Sequence, residues 1–431
     1  MDLELHLQYL SLLVICGGSV RQYSTVAFSV ACMICAQGFA QQYSQASFTR
    51  AKRLLERLSS TKVPADDARL RQIAGLIENG QWQSAAELAT AHPGFLNVTV
   101  KQMAQRMSTR EETFRLSLND FGALFIGVVR DNLDARTLLT GNFRYEADMT
   151  RLPAGITVRN IQVTDKINSN NHYQDLDRPE VDLGVVLTRV EGQIISGDGR
   201  VASVNPDPAG LLTTRSFMGA HASAGTNRRL VEYTFREFLC VPIGDWADTK
   251  VSDARIGRDI DRFPGGDHMK FQTSCKGCHT GMDGFRGAFA RWDFQGDRIV
   301  HSAVGGGDQQ AGIFNKLNRN GEVFSHGFRT VDSSFVNNAR GSSNETFFGW
   351  RGNGVDRGAD VKGFGELVAN SKRFSQCMVK RVYDTVCRQN LDPKANKAYL
   401  DVNGIWFEQQ GYNVKKLFEY LAVQPDCLGG V

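Results

Sequence analysis

Apolar positions recur at three- and four-residue intervals over most of the chain, the spacing of helices that bury one face. Phe48, Ala51, Leu54, Leu55 and Leu58 form the first such stripe, and Val63-Pro-Ala-Asp-Asp67 interrupts it. Arg69 to Glu78 and Gln83 to Ala91 follow as short helices separated by Asn79-Gly80. Ser117 to Val129 repeats Leu118, Phe121, Leu124, Phe125 and Val128, which predicts a helix with Ser117 as its N-cap. Asp134 to Leu139 continues as a short helix before Gly141-Asn142. From Phe143 to Pro208 the helical period is lost. Gly184-Val-Val-Leu-Thr-Arg-Val190 reads as a strand there, and Ser196-Gly-Asp-Gly199 as a turn. Helix resumes at Asn227 to Leu239, with Leu230, Tyr233, Phe235 and Phe238 apolar. Residues 303–360 carry Gly305-Gly-Gly and Arg351-Gly-Asn-Gly354 and predict long loops. Gly363 to Asn370, Ser375 to Arg388 and Asn413 to Val423 close the chain as helices. The fold class expected is mainly α, helical segments joined by long glycine-rich loops.

Composition narrows the function classes. Hydrophobic residues make up 42% and charged residues 22% of 431, which excludes a disordered or collagen-like chain. The formal net charge is only +4, too small over this length to argue for nucleic-acid binding. No internal stretch is apolar for long enough to span a membrane.

The N-terminus reads as an export signal. Arg21 precedes the apolar stretch Thr25 to Cys35, and Gly38 and Ala40 supply small residues before polar Gln41. Mature protein would then begin near Gln41, in the periplasm or outside the cell. Residues 1–19 fit less well, because Asp2 and Glu4 stand where positive charge belongs and Tyr9 to Cys16 is a second apolar stretch. A translation start at Val20 explains them, and an N-terminal anchor or a buried helix is the competing reading. Membrane association is thus compatible with the sequence without being required.

Nine cysteines divide in a way that suits export. Cys16, Cys32 and Cys35 lie in the signal region, Cys275 and Cys278 in a motif, and Cys240, Cys377, Cys387 and Cys427 remain. Four leftover cysteines in an oxidising compartment predict two disulfides. Cys377 and Cys387 share one predicted helix about 15 Å apart along its axis, too far to pair with each other. The expected pairing is Cys377–Cys427 with Cys240–Cys387; the crossed pairing and buried free thiols are the alternatives.

Cys275-Lys-Gly-Cys278-His279 carries the chemistry. Cys-x-x-Cys-His is the attachment sequence of c-type haem. Two thiols one helical turn apart reach the two vinyl groups of one porphyrin, and the adjacent imidazole reaches its iron. By this composition the motif is expected by chance only about 0.004 times. A disulfide or half a zinc site is the competing reading, but zinc needs a second ligand pair of similar spacing, and none exists. One motif implies one covalently attached haem c, held by Cys275, Cys278 and His279.

The surroundings of this motif resemble the planctomycete-type cytochrome c proteins, an exported bacterial family of poorly defined function. Gly210-Leu-Leu-Thr213 lies about 60 residues ahead of Cys275-x-x-Cys-His-x-x-Met282-Asp283, with Ala288, Asp293 and Gly296 following. Phe374-Ser-Gln-Cys-Met-Val-Lys-Arg-Val-Tyr383 resembles the family's closing helix, and Ser117-Leu-Asn-Asp-Phe121 and Leu138-Leu-Thr140 its upstream part. The likeness covers about 115–300 and 363–425 with gaps. Gly284-Phe-Arg-Gly287 stands where the family has Pro-Leu-Gly-Phe, so the turn after the haem helix departs from it. The resemblance implies a redox role and a redox partner protein, and says little of substrate.

The second iron ligand decides between electron transfer and binding of a small molecule at an open iron. His221, Met269, Met218 and His268 are the distal candidates, the first two ranked ahead, and His172 is an outside candidate. For each, the bland alternative is an ordinary core or surface residue. Met282 is too close to His279 to reach the opposite face, and His301 and His326 read as solvent-exposed. Arg255, Arg258 and Arg262 with Asp259 and Asp261 read as a solvated charge run, with haem carboxylates as the alternative partners of the arginines.

These readings divide the chain into a signal (1–40), an N-terminal helical segment (41–145), an irregular segment with strands (146–205), a cytochrome c haem domain (206–302), a glycine-rich segment (303–362) and a C-terminal helical segment (363–431). The expected function is electron transfer by an exported one-haem cytochrome. A peroxidase-like oxidoreductase with an open distal site, or a haem-bearing structural subunit of an envelope complex, are the rivals. A carrier needs only ~100 residues, and the sequence does not say what the rest does.

Overall fold

A computed structural model describes residues 43–161, 169–196, 202–304, 312–341 and 343–428. The chain divides into two units, Met1–Ser44 and Gln45–Val431, and the second holds the described helices and strands. The signal-like stretch with Cys16, Cys32 and Cys35, the turn after Ser196 and Gly305-Gly-Gly lie outside the described residues.

The fold is mainly α, as the periodicity predicts. Its helices of seven residues or more are α1 (Gln45–Ser59), α2 (Ala68–Glu78), α3 (Trp82–Thr90), α4 (Lys101–Met107), α5 (Asp120–Arg130), α6 (Arg215–His221), α7 (Arg228–Leu239), α8 (Lys276–Arg286), α9 (Asp360–Ala369), α10 (Lys372–Cys387), α11 (Lys397–Gln409) and α12 (Val414–Ala422). The α1 stripe is buried at Ala51, Leu54, Leu55 and Leu58, with Phe48 half-buried at its start. Helix α5 starts later than the sequence suggests. Asn119, not Ser117, caps it, accepting from the Gly122 N–H at 2.8 Å, while Leu118 N–H is drawn off to Asp177.

Among the described residues, four two-stranded antiparallel sheets punctuate the helices. Strand β1 (Phe143–Ala147) pairs with β2 (Leu187–Glu191), so the predicted strand from Gly184 splits into a helical turn to Val186 and a strand after it. Short β3 (Ile194–Ser196) and β4 (Ala202–Val204) follow. Strands β5 (Trp292–Gln295) and β6 (Arg298–His301) join through Gly296 and Asp297, both at positive φ, the two-residue loop whose twist suits a hairpin. The last pair is β7 (Ser334–Val336) and β8 (Arg357–Ala359) in the otherwise irregular 303–360 stretch.

Helix α10 is the hub. It buries Phe374, Cys377, Met378, Val379, Val382, Tyr383 and Val386 against α7, α11 and α12. The segments drawn from the sequence therefore interleave in one compact unit. The disulfides correct the expected pairing, for the bonds are Cys240–Cys377 and Cys387–Cys427, with Cα–Cα separations of 5.2 and 4.5 Å. The direction of α10 is the reason. Its stretch from Arg373 to Arg381 lies at the C-terminal end of α7, where Arg373 donates to Leu239 O and Arg381 to Glu237 O. Its far end meets Cys427, which also lies beside Arg57 of α1. As expected, Cys377 and Cys387 share one helix and do not bond each other. No helix among the described residues is long and apolar enough to cross a membrane.

An aromatic cluster seats α8. Phe235 of α7 stacks on Trp246 at 4.5 Å and meets Phe285 of α8 at 5.3 Å, with Phe348 and Phe364 closing the group.

Candidate functional site

Cys275, Cys278 and His279 open α8. A helical turn, Phe271–Cys275, winds directly into it, so the motif is helical throughout. At 100° per residue, Cys275, Cys278, His279 and Met282 fall within an arc of about 100° on one flank. All four are half-buried. The opposite flank is glycine and tightly packed. A Cβ on Gly281 would stand 2.4 Å from the Trp246 ring, one on Gly284 2.7 Å from Val336 O, and one on Gly277 3.3 Å from Thr249. Glycine lets the body of the protein approach the back of α8, which turns the thiols, imidazole and thioether toward the open side.

Cys275 and Cys278 are both free thiols. Burial pushes the Cys278 thiol up, with the Glu232 carboxylate and Cys275 adding to the effect. This is the wrong direction for a thiolate nucleophile. Among the described residues no group of three His, Cys, Asp or Glu side chains is placed to hold a metal ion.

Behind His279 lies a buried charge network that the sequence reading missed. His279 Nδ1 is buried without a hydrogen-bond partner among the described residues, and Asp283 Oδ1 stands 3.7 Å away, one turn along α8. Asp283 is fully buried and accepts from Arg228 Nη2 at 2.7 Å and from Gly257 N–H at 2.7 Å. Asp259 bridges the same Arg228 at 2.9 Å and Arg286 at 3.1 Å. Burial alone would push the Asp283 carboxyl up, but Arg286 and Arg228 overcome it and hold the group well below the usual carboxylate range. Burial likewise opposes ionisation of Asp259, and Arg228 and Arg286 again win. Asp259 is thus no part of a solvated face, which corrects the sequence reading. Asp283 beside the motif was the one available signal. Arg228 carried none, since Asp259 and Asp283 stand 31 and 55 positions from it.

The distal candidates scatter. His221 is fully buried, stacked 4.0 Å from the Tyr233 ring and edge-on to Phe217 at 4.6 Å. Helix α7 faces α8 through Arg228 and Phe235, whereas Tyr233 lies about 140° round from Arg228. His221 therefore packs on a different side of α7 from Arg228, with both ring nitrogens unpartnered among the described residues. Burial lowers it to about 3, helped by Arg229 and Arg110. Met218 is buried one turn earlier in α6. His268 is engaged with Arg262 O at 2.8 Å and Gln272 at 3.0 Å. Met269 is 64% exposed on the turn that leads into Cys275. His172 is a core histidine, bonded to Arg159 O and accepting from Ala147 N–H. His326 is exposed as expected, but His301 is not: it packs 4.7 Å from Trp292 and is 3% exposed. Of the arginines at 255–262, Arg262 is buried over Phe271 at 4.8 Å, with Nη1 unpartnered among the described residues.

Comparison with protein-family models, with characterised proteins and with solved structures finds no match to this chain.

Proposed function

We propose that this chain is an exported one-haem c-type cytochrome that transfers electrons to a redox partner protein. One observation carries the reading: two free thiols and an imidazole share the half-exposed flank of α8, while glycines seal the other flank. The donor set fits haem c. Cys275 and Cys278 would bond the vinyl groups through sulfur, and His279 Nε2 would hold the iron. Bound there, the haem supplies a one-electron couple. The chain's own part is to orient His279. Its buried Nδ1 faces the Asp283 carboxylate, which favours the tautomer with the proton on Nδ1 and leaves Nε2 free to ligate. Arg228 and Arg286 keep Asp283 ionised for that task. Arg262, with donor capacity to spare, is the arginine best suited to a haem carboxylate. Two disulfides accord with export.

An open distal site, as in a peroxidase-like enzyme, is the second reading. Its support is that His221 is stacked on Tyr233 and His268 is already bonded, while Met269 is the candidate on the motif's own approach. Expression with haem-attachment machinery, haem-stained denaturing gels and absorption spectra test both. Covalent haem is expected in the native chain and absent from the Cys275→Ala, Cys278→Ala double variant. Covalent haem retained in that variant, or none in the native chain, overturns the first reading. A Met–Fe charge-transfer band lost in Met269→Ala marks electron transfer, and a high-spin ferric spectrum marks the open site.

A further inference from the structure

Four described cations are more than nine-tenths buried, and three of them have a carboxylate at hand. Arg286 pairs with Asp259 at 3.1 Å, Lys316 with Asp293 at 2.5 Å, and Arg262 lies 3.9 Å from Asp253. Arg373 of α10 is the fourth. It is 6% exposed and has no carboxylate within 4 Å among the described residues. Its guanidinium donates to Leu239 O at 3.3 Å and to Gln376 Oε1 at 3.1 Å. These neutral acceptors use two of five donors and bring no countercharge. Burial pulls this arginine down to about 10, against the attraction of Asp401 and Asp245, neither of which comes within 4 Å of it. A buried charge without a partner is costly, and an anion placed beside it would relieve that cost.

Arg373 lines a cleft of about 740 Å³, within the size range of small-molecule sites. Val241, Pro242, Phe347 and Pro393 supply its apolar wall. Phe347 stays 37% exposed, with Arg373 4.7 Å over its ring. The lysines around the cleft each have a carboxylate within 4 Å. Lys372 and Lys397 share Asp401, Lys380 holds Asp384, and Lys394 reaches Asp245. Counting Asp392, which also lines the cleft, four carboxylates stand against these four lysines and Arg373, an excess of one positive charge, and Arg373 is the cation of the five with no carboxylate within 4 Å among the described residues.

We infer that this cleft binds a small organic monoanion, a carboxylate on a compact apolar body, with the carboxylate on Arg373 and the body against Phe347. The guanidinium fork matches a carboxylate in two-point contact. A single surplus charge suits a monoanion over a phosphate dianion. The site does not depend on the haem reading.

Calorimetric titration of the full chain with sodium benzoate, at ionic strength held constant with sodium chloride, tests this. Saturable one-to-one binding is expected, weakened at least tenfold by Arg373→Gln and less than threefold by Lys394→Ala at the exposed rim. No saturable binding, equal affinity in Arg373→Gln, or tighter binding of inorganic phosphate would each overturn it. Should Arg373→Gln fail to fold, crystals soaked in 4-bromobenzoate decide: a bromine anomalous peak beside Phe347 supports the site, and its absence there refutes it.

Discussion

Asp283 is where one side chain does two things, neutralising Arg228 and Arg286 and facing the orphaned nitrogen of His279. A carboxylate on that nitrogen makes a metal-bound imidazole more basic and favours the oxidised iron. In the haem-loaded protein, Asp283→Asn should raise the reduction potential by about 59 mV, a tenfold change in a one-electron equilibrium. Asp259→Asn disturbs the same arginines without touching His279, so it should lower stability and leave the potential in place. Potentiometric titration of both variants checks this, and equal shifts would reduce Asp283 to a structural role. His221 makes a second, independent prediction. Its folded value, about 3, lies below the ordinary 6.5, so its contribution is full above pH 6.5 and is lost as pH falls from there toward 3. At pH 5 that loss is about 2 kcal/mol. Buried His301, lowered to about 4, adds in the same direction. Glu237, raised by burial to about 7, acts oppositely, its contribution full below 4.5 and lost as pH rises through about 7. Denaturant unfolding at pH 7 and pH 5 should therefore show His221→Phe less acid-sensitive than the native chain by about 2 kcal/mol. Equal acid sensitivity would mean that His221 is not buried neutral.

At the scale of the element, α8 depends on what is missing from its back. Gly281→Ala places a methyl group 2.4 Å from a Trp246 ring that is only 2% exposed and cannot retreat. A loss of about 1–3 kcal/mol is expected. Gly277→Ala meets Thr249 at 3.3 Å, and the gain in helix propensity of about 1 kcal/mol offsets much of that contact. Thermal unfolding of the two variants should separate them clearly. The elements also show how far periodicity reaches. The helices at 45–59, 228–239 and 372–387 were legible because each buries a continuous apolar stripe. Helix α11 was missed because its buried side is Leu400, Asn403, Gly404 and Phe407, half of it not hydrophobic. Ser117 was read as a cap because it precedes the apolar run, but capping is decided by which side chain meets the free N–H groups, and that is Asn119.

Over the whole molecule, the disulfides fasten α10 at both ends. Cys240–Cys377 closes 137 residues of sequence and Cys387–Cys427 closes 40. Removing either bond should cost on the order of 2–5 kcal/mol, and the longer loop about 1 kcal/mol more by chain entropy. Paired serine variants, compared in denaturant, test the order. Non-reducing peptide mapping tests the connectivity, and a Cys240–Cys387 peptide would refute this arrangement.

The sequence by itself determined that the chain is mainly helical, that Cys275, Cys278 and His279 sit one turn apart, and that Cys377 cannot reach Cys387. All three follow from local geometry, the rise and rotation of one helix. Tertiary structure alone decided which cysteines meet, that His221 packs on Tyr233 of α7, that Asp259 and Asp283 are buried between two arginines, and that Arg373 has no carboxylate within 4 Å among the described residues. Each of these depends on the direction in which one helix passes another. Periodicity names the buried face of a helix but not the neighbour that covers it.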